Sequence, residues 1–365
     1  MGALNLVEVR ALLLLRGLPG VGDRRMEVLL DRFGSGVAAL EASDEAFQRE
    51  ASSEAAKARR DPEMARLTDE ALARCRELSI AVIHRGSDLY PDRLLNLHAP
   101  PAVLFVRGDP GLLSGPAVAI VGSRRSTAYG RRVAGEVARA LVPAGVTVVS
   151  GLALGIDAAA HRATVEANGA TVAVLGSGPD VPHPPSNRDL FQRIVRDGLI
   201  VSEHLPGAPP LASHFPRRNR ILAALSDGVV VVEAARRSGA LITADLALDL
   251  GREIMAVPGS IYSPSSEGTN RLIRLGAHPI LEPQDVLRVL GLDQPAPARA
   301  PHPRLEPDED AARIWDALDR TPRSVDELAK TSDLSVARTL ASLSTLEVGG
   351  WVRKEAGMRF AREGA

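Results

Sequence analysis

Ala117-Val118-Ala119-Ile120-Val121 runs straight into Gly122-Ser123-Arg124-Arg125. A short, wholly apolar run of Ala, Val and Ile reads as a strand buried on both faces. The small residues after it read as a tight turn at the strand's carboxyl end. The pattern recurs outward from this point. Val146–Val149, Thr171–Leu175, Leu199–Ser202, Gly228–Val232, Glu253–Val257 and His278–Leu281 are further apolar runs. Amphipathic helical stretches such as Gly130–Val142 and Thr243–Leu250 lie between them. Alternation of this kind predicts a doubly wound, mostly parallel α/β sheet with helices on both faces.

In such sheets ligands bind beyond the carboxyl ends of the strands. The second strand is followed by Ser150-Gly151-Leu152-Ala153-Leu154-Gly155, and the third by Gly176-Ser177-Gly178. After the fourth come Glu203 and a loop leading to Phe215-Pro216-Arg217-Arg218-Asn219-Arg220. After the fifth come Glu233, Arg236, Arg237, Ser238 and Gly239, then Thr243; after the sixth, Pro258-Gly259-Ser260. Small residues let backbone N–H groups approach a ligand, and helix N-termini add donors and partial positive charge. Arg124, Arg217, Arg218 and Arg220 add full charge around them. The expected ligand is a multiply charged anion with several phosphates.

Several enzyme classes are disfavoured. The G-x-G-x-x-G fingerprint is missing, because Arg124 stands where the second glycine would admit a pyrophosphate. There is no P-loop motif and no G-x-S-x-G elbow. His161 and His183 lack metal-ligand spacing; Asp157 and His161, four apart, read as capping or packing residues. Glu203 and Glu233, at strand ends, are read equally as ribose contacts or bases and as buried structural acids. No catalytic residue, metal ligand or cofactor is expected.

The ordered motifs resemble the DprA/Smf family. They are Ile120-Val121-Gly122-Ser123-Arg124, Tyr129-Gly130, Ser150-Gly151-Leu152-Ala153-Leu154-Gly155-Ile156-Asp157 with Ala160-His161, and Phe215-Pro216-Arg217-Arg218-Asn219-Arg220-Ile221. Val232-Glu233-Ala234, Ser238-Gly239-Ala240-Leu241-Ile242-Thr243-Ala244, Pro258-Gly259, Gly268-Thr269-Asn270 and Gly276-Ala277 follow. The resemblance spans most of residues 117–281. It implies an extended Rossmann-like fold that binds single-stranded DNA without strong sequence preference. It further implies a homodimer through the Rossmann domain, RecA loading and strand protection in natural transformation or recombination, and no cofactor.

Carried over residue by residue, the strand is held by Gly122, Ser123 and Arg124; by Gly151, Leu152, Ala153 and Gly155; by Arg217, Arg218, Asn219 and Arg220; and by Ser238, Gly239 and Thr243. His183, Arg188 and Phe215 are secondary candidates. The family's Tyr-Pro after the third strand is here His183-Pro184, and Pro185 empties the basic position that often follows. Aromatic residues make up only 3% of the chain, so binding is expected to fall mostly on phosphates, with Phe215 either stacking or in the core. The alternative function is a nucleotide-processing, phosphoribohydrolase-like enzyme, although its P-G-G-x-G-T-x-x-E signature is absent. A scaffold acting through its C-terminal module is a third.

The 365 residues carry a net charge of −1, so nucleic-acid binding must rest on local clusters rather than global charge. One cysteine, Cys75, excludes an intrachain disulfide. No apolar run approaches the roughly 20 residues of a membrane span. With no evident signal peptide, a cytoplasmic protein is expected. Five regions are expected: a helical domain at 1–75, an extension joining the sheet at 76–110, the Rossmann-like domain at 111–290, a Pro-rich linker at 291–307 and a winged helix at 308–365. The extension contributes candidate strands Ile80–His84 and Ala102–Arg107. Leu18-Pro19-Gly20-Val21-Gly22 suits either a helix–hairpin–helix phosphate contact or a plain helical turn; the family's N-terminal region is SAM-like, which fits both. The winged helix carries nine acids against five Arg or Lys over 308–350, the wrong sign for strong DNA attraction, so a protein-interaction or accessory role is favoured. Trp315 and Trp351 are read as its core.

Overall fold

The computed structural model describes residues 3–293, 309–318, 322–348, 352–355 and 357–362. The chain forms two compact units, Met1–Gln294 and Pro295–Ala365. The Pro-rich linker beyond residue 293 and Trp351 lie outside the described residues.

The first unit is built on one sheet of nine strands: β1 (Ala81–His84), β2 (Val103–Gly108), β3 (Ala117–Val121), β4 (Thr147–Ser150), β5 (Thr171–Leu175), β6 (Leu199–Ser202), β7 (Gly228–Val231), β8 (Glu253–Ala256) and β9 (His278–Pro279). Their spatial order is β1-β2-β6-β5-β4-β3-β7-β8-β9. All pairs from β6 to β9 are parallel, while β1 and β2 add at one end antiparallel. The doubly wound sheet expected from sequence is therefore present.

Alternation along each strand explains why these runs are apolar throughout. Ala119 and Val121 on β3 face one core with Val229 and Val231, beneath helices His214–Leu225 and Gly239–Asp249. Val118 and Ile120 face the opposite core with Val230, against helices Ala128–Leu141 and Ile156–Glu166. Neither face of β3 sees water, so no polar position interrupts it. The N-terminal helices share a core with Val82, Val103 and Phe105 of β1 and β2. Among the described residues, no helix is long and apolar enough to cross a membrane.

The strand order places the site. β4, β5 and β6 step outward on one side of β3, and β7 then returns to its other side. Connections leaving β3 and β7 diverge to opposite faces, opening a crevice at their carboxyl ends.

The second unit contains helices Glu309–Ala317, Val325–Ser332 and Val336–Val348 with a three-stranded sheet of Arg323–Ser324, Val352–Glu355 and Arg359–Arg362. Ser324 and Glu327 form a capping box that starts the second helix. Gly357, at a φ of 82°, sits in the wing turn. Trp315 packs partly buried against the core. Arg338, the basic residue on the third helix, pairs with Asp310 at 2.7 Å. Its charge is thus already partnered within the unit.

Candidate nucleic-acid interface

The crevice at the switch point is a cavity of about 550 Å³. Of the residues expected from sequence, Gly122, Ser123, Arg124, Ala153, Arg218, Asn219, Ser238, Gly239, Thr243 and Phe215 line it. Gly151, Leu152, Gly155, Arg217, Arg220, His183 and Arg188 do not.

Its floor is cross-locked from both sides of the switch. Ser123 N–H donates to the Glu233 carbonyl at 2.8 Å, and Ile156 N–H donates to the Ser123 carbonyl at 3.3 Å. Gly155 has a φ of 82°, and a Cβ there would overlap the Ser123 carbonyl, so glycine is required at this approach. The buried Glu233 carboxylate accepts from Thr127 N–H at 2.9 Å and from the Thr127 hydroxyl, fixing the start of helix Ala128–Leu141. Glu233 thus has the buried, hydrogen-bonded arrangement of a structural acid. Glu203 is likewise buried and paired with Arg220.

The turn Gly151–Gly155 serves the interior more than the crevice. The amides of Gly151 and Ala153 donate to Asp157 at 3.2 and 3.3 Å, and the buried Asn187 side chain donates to the Leu152 carbonyl at 3.0 Å. Leu152 is fully buried. Only Ala153 of this turn reaches the cavity.

Phe215 to Arg220 form one helical stretch. They lie in the helix His214–Leu225, whose polar first turn tolerates Pro216 because the early N–H groups have no intrahelical acceptor. Successive residues on a helix point about 100° apart, so the arginines scatter. Arg218 turns inward, donates to the Val174 carbonyl at 2.7 Å and is only 5% exposed. A Cβ at Gly151 would overlap its guanidinium, so Gly151 makes room for that group. Arg217 reaches Asp23, at the start of helix Asp23–Phe33. Arg220 is engaged by Glu203, Asp23 and the Ala99 carbonyl. Asn219 remains at the cavity, with Nδ2 3.4 Å from the Gly239 carbonyl.

Burial sets the protonation states beneath the crevice. It pushes Asp157 above the usual carboxylate range, against the opposing pull of Arg218. It lowers Arg218 to about 10 and His161 to about 3. His161 is therefore a neutral core imidazole, its Nδ1 2.7 Å from the Thr171 hydroxyl. Asp23 is opposed by its own burial, but Arg16, Arg217 and Arg220 outweigh that and hold it below its ordinary value.

The exposed cations at the crevice are others. Arg124 is exposed, and its guanidinium lies 5.0 Å above the half-buried Phe215 ring. His183 packs against the same ring at 5.6 Å, so this loop reaches the site indirectly through Phe215. Arg188 is exposed on the helix that follows. Arg125 and Arg237 also line the cavity, with Arg236 adjacent and exposed. Neither Arg125 nor Arg237 was among the residues carried over from the family. Their signal was legible in the arginine doublets of the loops after β3 and β7. Among the described residues, Arg124, Arg125, Arg236 and Arg237 have no ion-pair partner within 4 Å.

Fold and site together define a Rossmann-like protein with an arginine-rimmed crevice at its switch point, carrying a winged helix as a second unit. Residues 81–291 match the family described as DNA recombination-mediator protein A, and residues 294–358 match the DprA winged helix domain. The chain belongs to the DprA/Smf family. It is 40% identical to Protein Smf of Escherichia coli (strain K12) over 282 residues, covering 74% of each chain. It is 42% identical to the DNA processing protein DprA of Bacillus subtilis (strain 168) over 220 residues, 60% of this chain and 74% of that one. Among solved structures it resembles DNA processing protein A from Streptococcus pneumoniae, with TM-score 0.66, 33% identity, and coverage of 79% of this chain and 98% of that one. It also resembles DNA processing protein A from Helicobacter pylori, a structure addressing that protein's single-stranded DNA binding mode. There the TM-score is 0.54 and identity 31%, covering 59% of this chain and 97% of that one.

Proposed function

We propose that this chain binds single-stranded DNA in the switch-point crevice, without sequence preference, as a non-catalytic mediator. In this reading it protects incoming strands and loads RecA onto them in transformation or recombination. It acts in the cytoplasm as a homodimer through the Rossmann domain. The observation that carries the binding reading is that Arg124, Arg125 and Arg237 at the cavity, with Arg236 beside them, are exposed and have no ion-pair partner among the described residues. Free guanidinium groups release phosphate counterions on binding; groups already paired to carboxylates release fewer. Arg124, held over the Phe215 ring, offers one base a planar cation to stack on. The binding mode of the Helicobacter pylori relative supports the choice of single strands. The non-catalytic reading is supported by Asp157, Glu203 and Glu233, each buried and engaged in internal hydrogen bonds.

The test is a salt titration of oligothymidylate binding by fluorescence anisotropy, with duplex DNA of the same length alongside. Affinity for the single strand falls with salt at a slope of about 0.7 per phosphate neutralised. Arg124→Ala with Arg237→Ala lowers that slope by about 1.4, if each removes one phosphate contact. An unchanged slope and affinity would refute the site, and stronger binding to duplex would refute the substrate.

A further inference from the structure

We infer that the bound strand continues out of the crevice across the loop following β8, where a base stacks on Tyr262. This rests on the single-strand reading of the crevice and extends it to a second contact point. β7 and β8 are parallel neighbours, with Val230 opposite Met255, so their following loops emerge side by side at the edge that holds the crevice. The loops are bonded together. Ala234 N–H donates to the Ser265 carbonyl at 2.9 Å, and Gly268 N–H donates to the Ala234 carbonyl at 2.7 Å. Ala235 and Arg237, next along the first loop, already line the cavity. The loop that lines the crevice is thus tied directly to the end of the loop after β8, at Ser265 and Gly268.

That loop is tied down by its own hydrogen bonds. Asn270 exchanges two hydrogen bonds with the Gly259 backbone, at 3.1 and 2.9 Å. Ser260 accepts from Tyr262 N–H at 3.2 Å, and Ser263 N–H donates to the Ser260 carbonyl at 3.0 Å. At its crest Ile261 is 79% and Tyr262 89% exposed. The distribution of aromatic rings gives this exposure meaning. In the unit Met1–Gln294, Phe47, Tyr90, Phe105 and Phe191 are buried and Phe33 packs against the N-terminal core. The remaining three, Phe215, Tyr129 and Tyr262, all stand at the carboxyl edge of the sheet. Local charge suits a polyanion. Arg236 and Arg237 stand exposed on the adjoining loop, and the stretch 257–274 holds Arg271 and Arg274 against the single acid Glu267.

The test compares wild type, Tyr262→Ala, Tyr262→Phe and Arg124→Ala against oligothymidylates of about 4 to about 16 nucleotides. Light scattering of each protein without DNA runs in parallel. Tyr262→Ala is expected to weaken the longest oligonucleotide about tenfold and leave the shortest unaffected, with Tyr262→Phe restoring wild-type affinity, since stacking needs the ring and not the hydroxyl. Arg124→Ala weakens every length. If Arg124→Ala weakens binding and Tyr262→Ala does not, the extended track is wrong and the crevice stands. If Arg124→Ala has no effect at any length, the crevice reading itself fails. If Tyr262→Ala changes the assembly state while every length binds as before, the surface belongs to a second copy and the inference is overturned.

Discussion

Two groups of arginines stand near the carboxyl edge of the same sheet, and they have opposite fates. Arg124, Arg125, Arg236 and Arg237 follow β3 and β7 in turns, exposed and without ion-pair partners among the described residues. Arg217, Arg218 and Arg220 share one helix, and each is held by the protein: by Asp23, by the Val174 carbonyl above Asp157, and by Glu203. In sequence the second group is the denser and more conspicuous cluster. In the fold the first has the greater free charge. An arginine's availability to a ligand depends on what its own element packs against, and a helix divides neighbouring residues among different surroundings.

The comparison breaks most sharply at Arg218. Arg218→Met removes the donor to the Val174 carbonyl and the nearby cation that opposes the burial of Asp157, and is expected to lower the urea unfolding midpoint at neutral pH. Asp157 already lies above its ordinary range because of burial, and losing Arg218 raises it further. The folded variant then binds a proton more tightly than the unfolded chain, so its deficit relative to wild type shrinks as pH falls through that raised value. A deficit independent of pH would mean that Arg218 acts through packing alone.

Arg220→Ala strips the buried Glu203 of its partner and is expected to cost roughly 3 kcal/mol, while the folded protein keeps its affinity for single strands. A large loss of affinity in correctly folded Arg220→Ala would move Arg220 back into the free group. The same helix brings His214 into a stack with His204, ring centroids 3.9 Å apart. Burial first, then His214, Arg16 and Arg217, lower His204 to about 4. The unfolded chain takes up that proton near 6.5 and the folded one only near 4. Stability is thus intact above the higher value and erodes as pH falls toward the lower. His204→Phe should flatten this part of the acid unfolding profile.

The smallest effect converts one group into the other. Asp23→Asn frees Arg217, which is exposed enough to meet solvent. The partly exposed pair is worth at most about 1 kcal/mol, so single-strand affinity should tighten by no more than about fivefold. The salt slope should steepen by about 0.7 if Arg217 then takes a phosphate. An unaltered slope would show that Arg217 points away from the strand even when released.

The sheet was legible because burial on both faces leaves an unmistakable signature. The strands from β2 to β7 coincide with buried apolar runs visible in sequence, and β1, β8 and β9 fall within the expected stretches although β9 is exposed. The crevice was legible in its turns, since small residues after β3 and β7 mark a close backbone approach. Three things were not. Phe215–Arg220 begin a helix whose polar, proline-containing first turn looks like a loop. The amides of Gly151 and Ala153 are taken by Asp157, a pairing set by a turn and a helix folding back together. The apolar rings at the edge, Phe215 under Arg124 and Tyr262 on its crest, are identical in sequence to core aromatics.

The sequence by itself therefore determined the layers, the mostly parallel character of the sheet, the small-residue turns that border the crevice and the family. These follow from local periodicity and from residues whose backbone demands are unique. Only the tertiary structure decided which arginines are free. That outcome depends on carboxylates distant in the chain, Asp23 from the N-terminal helices, Asp157 from beneath the crevice and Glu203 from the end of β6, meeting or missing each guanidinium.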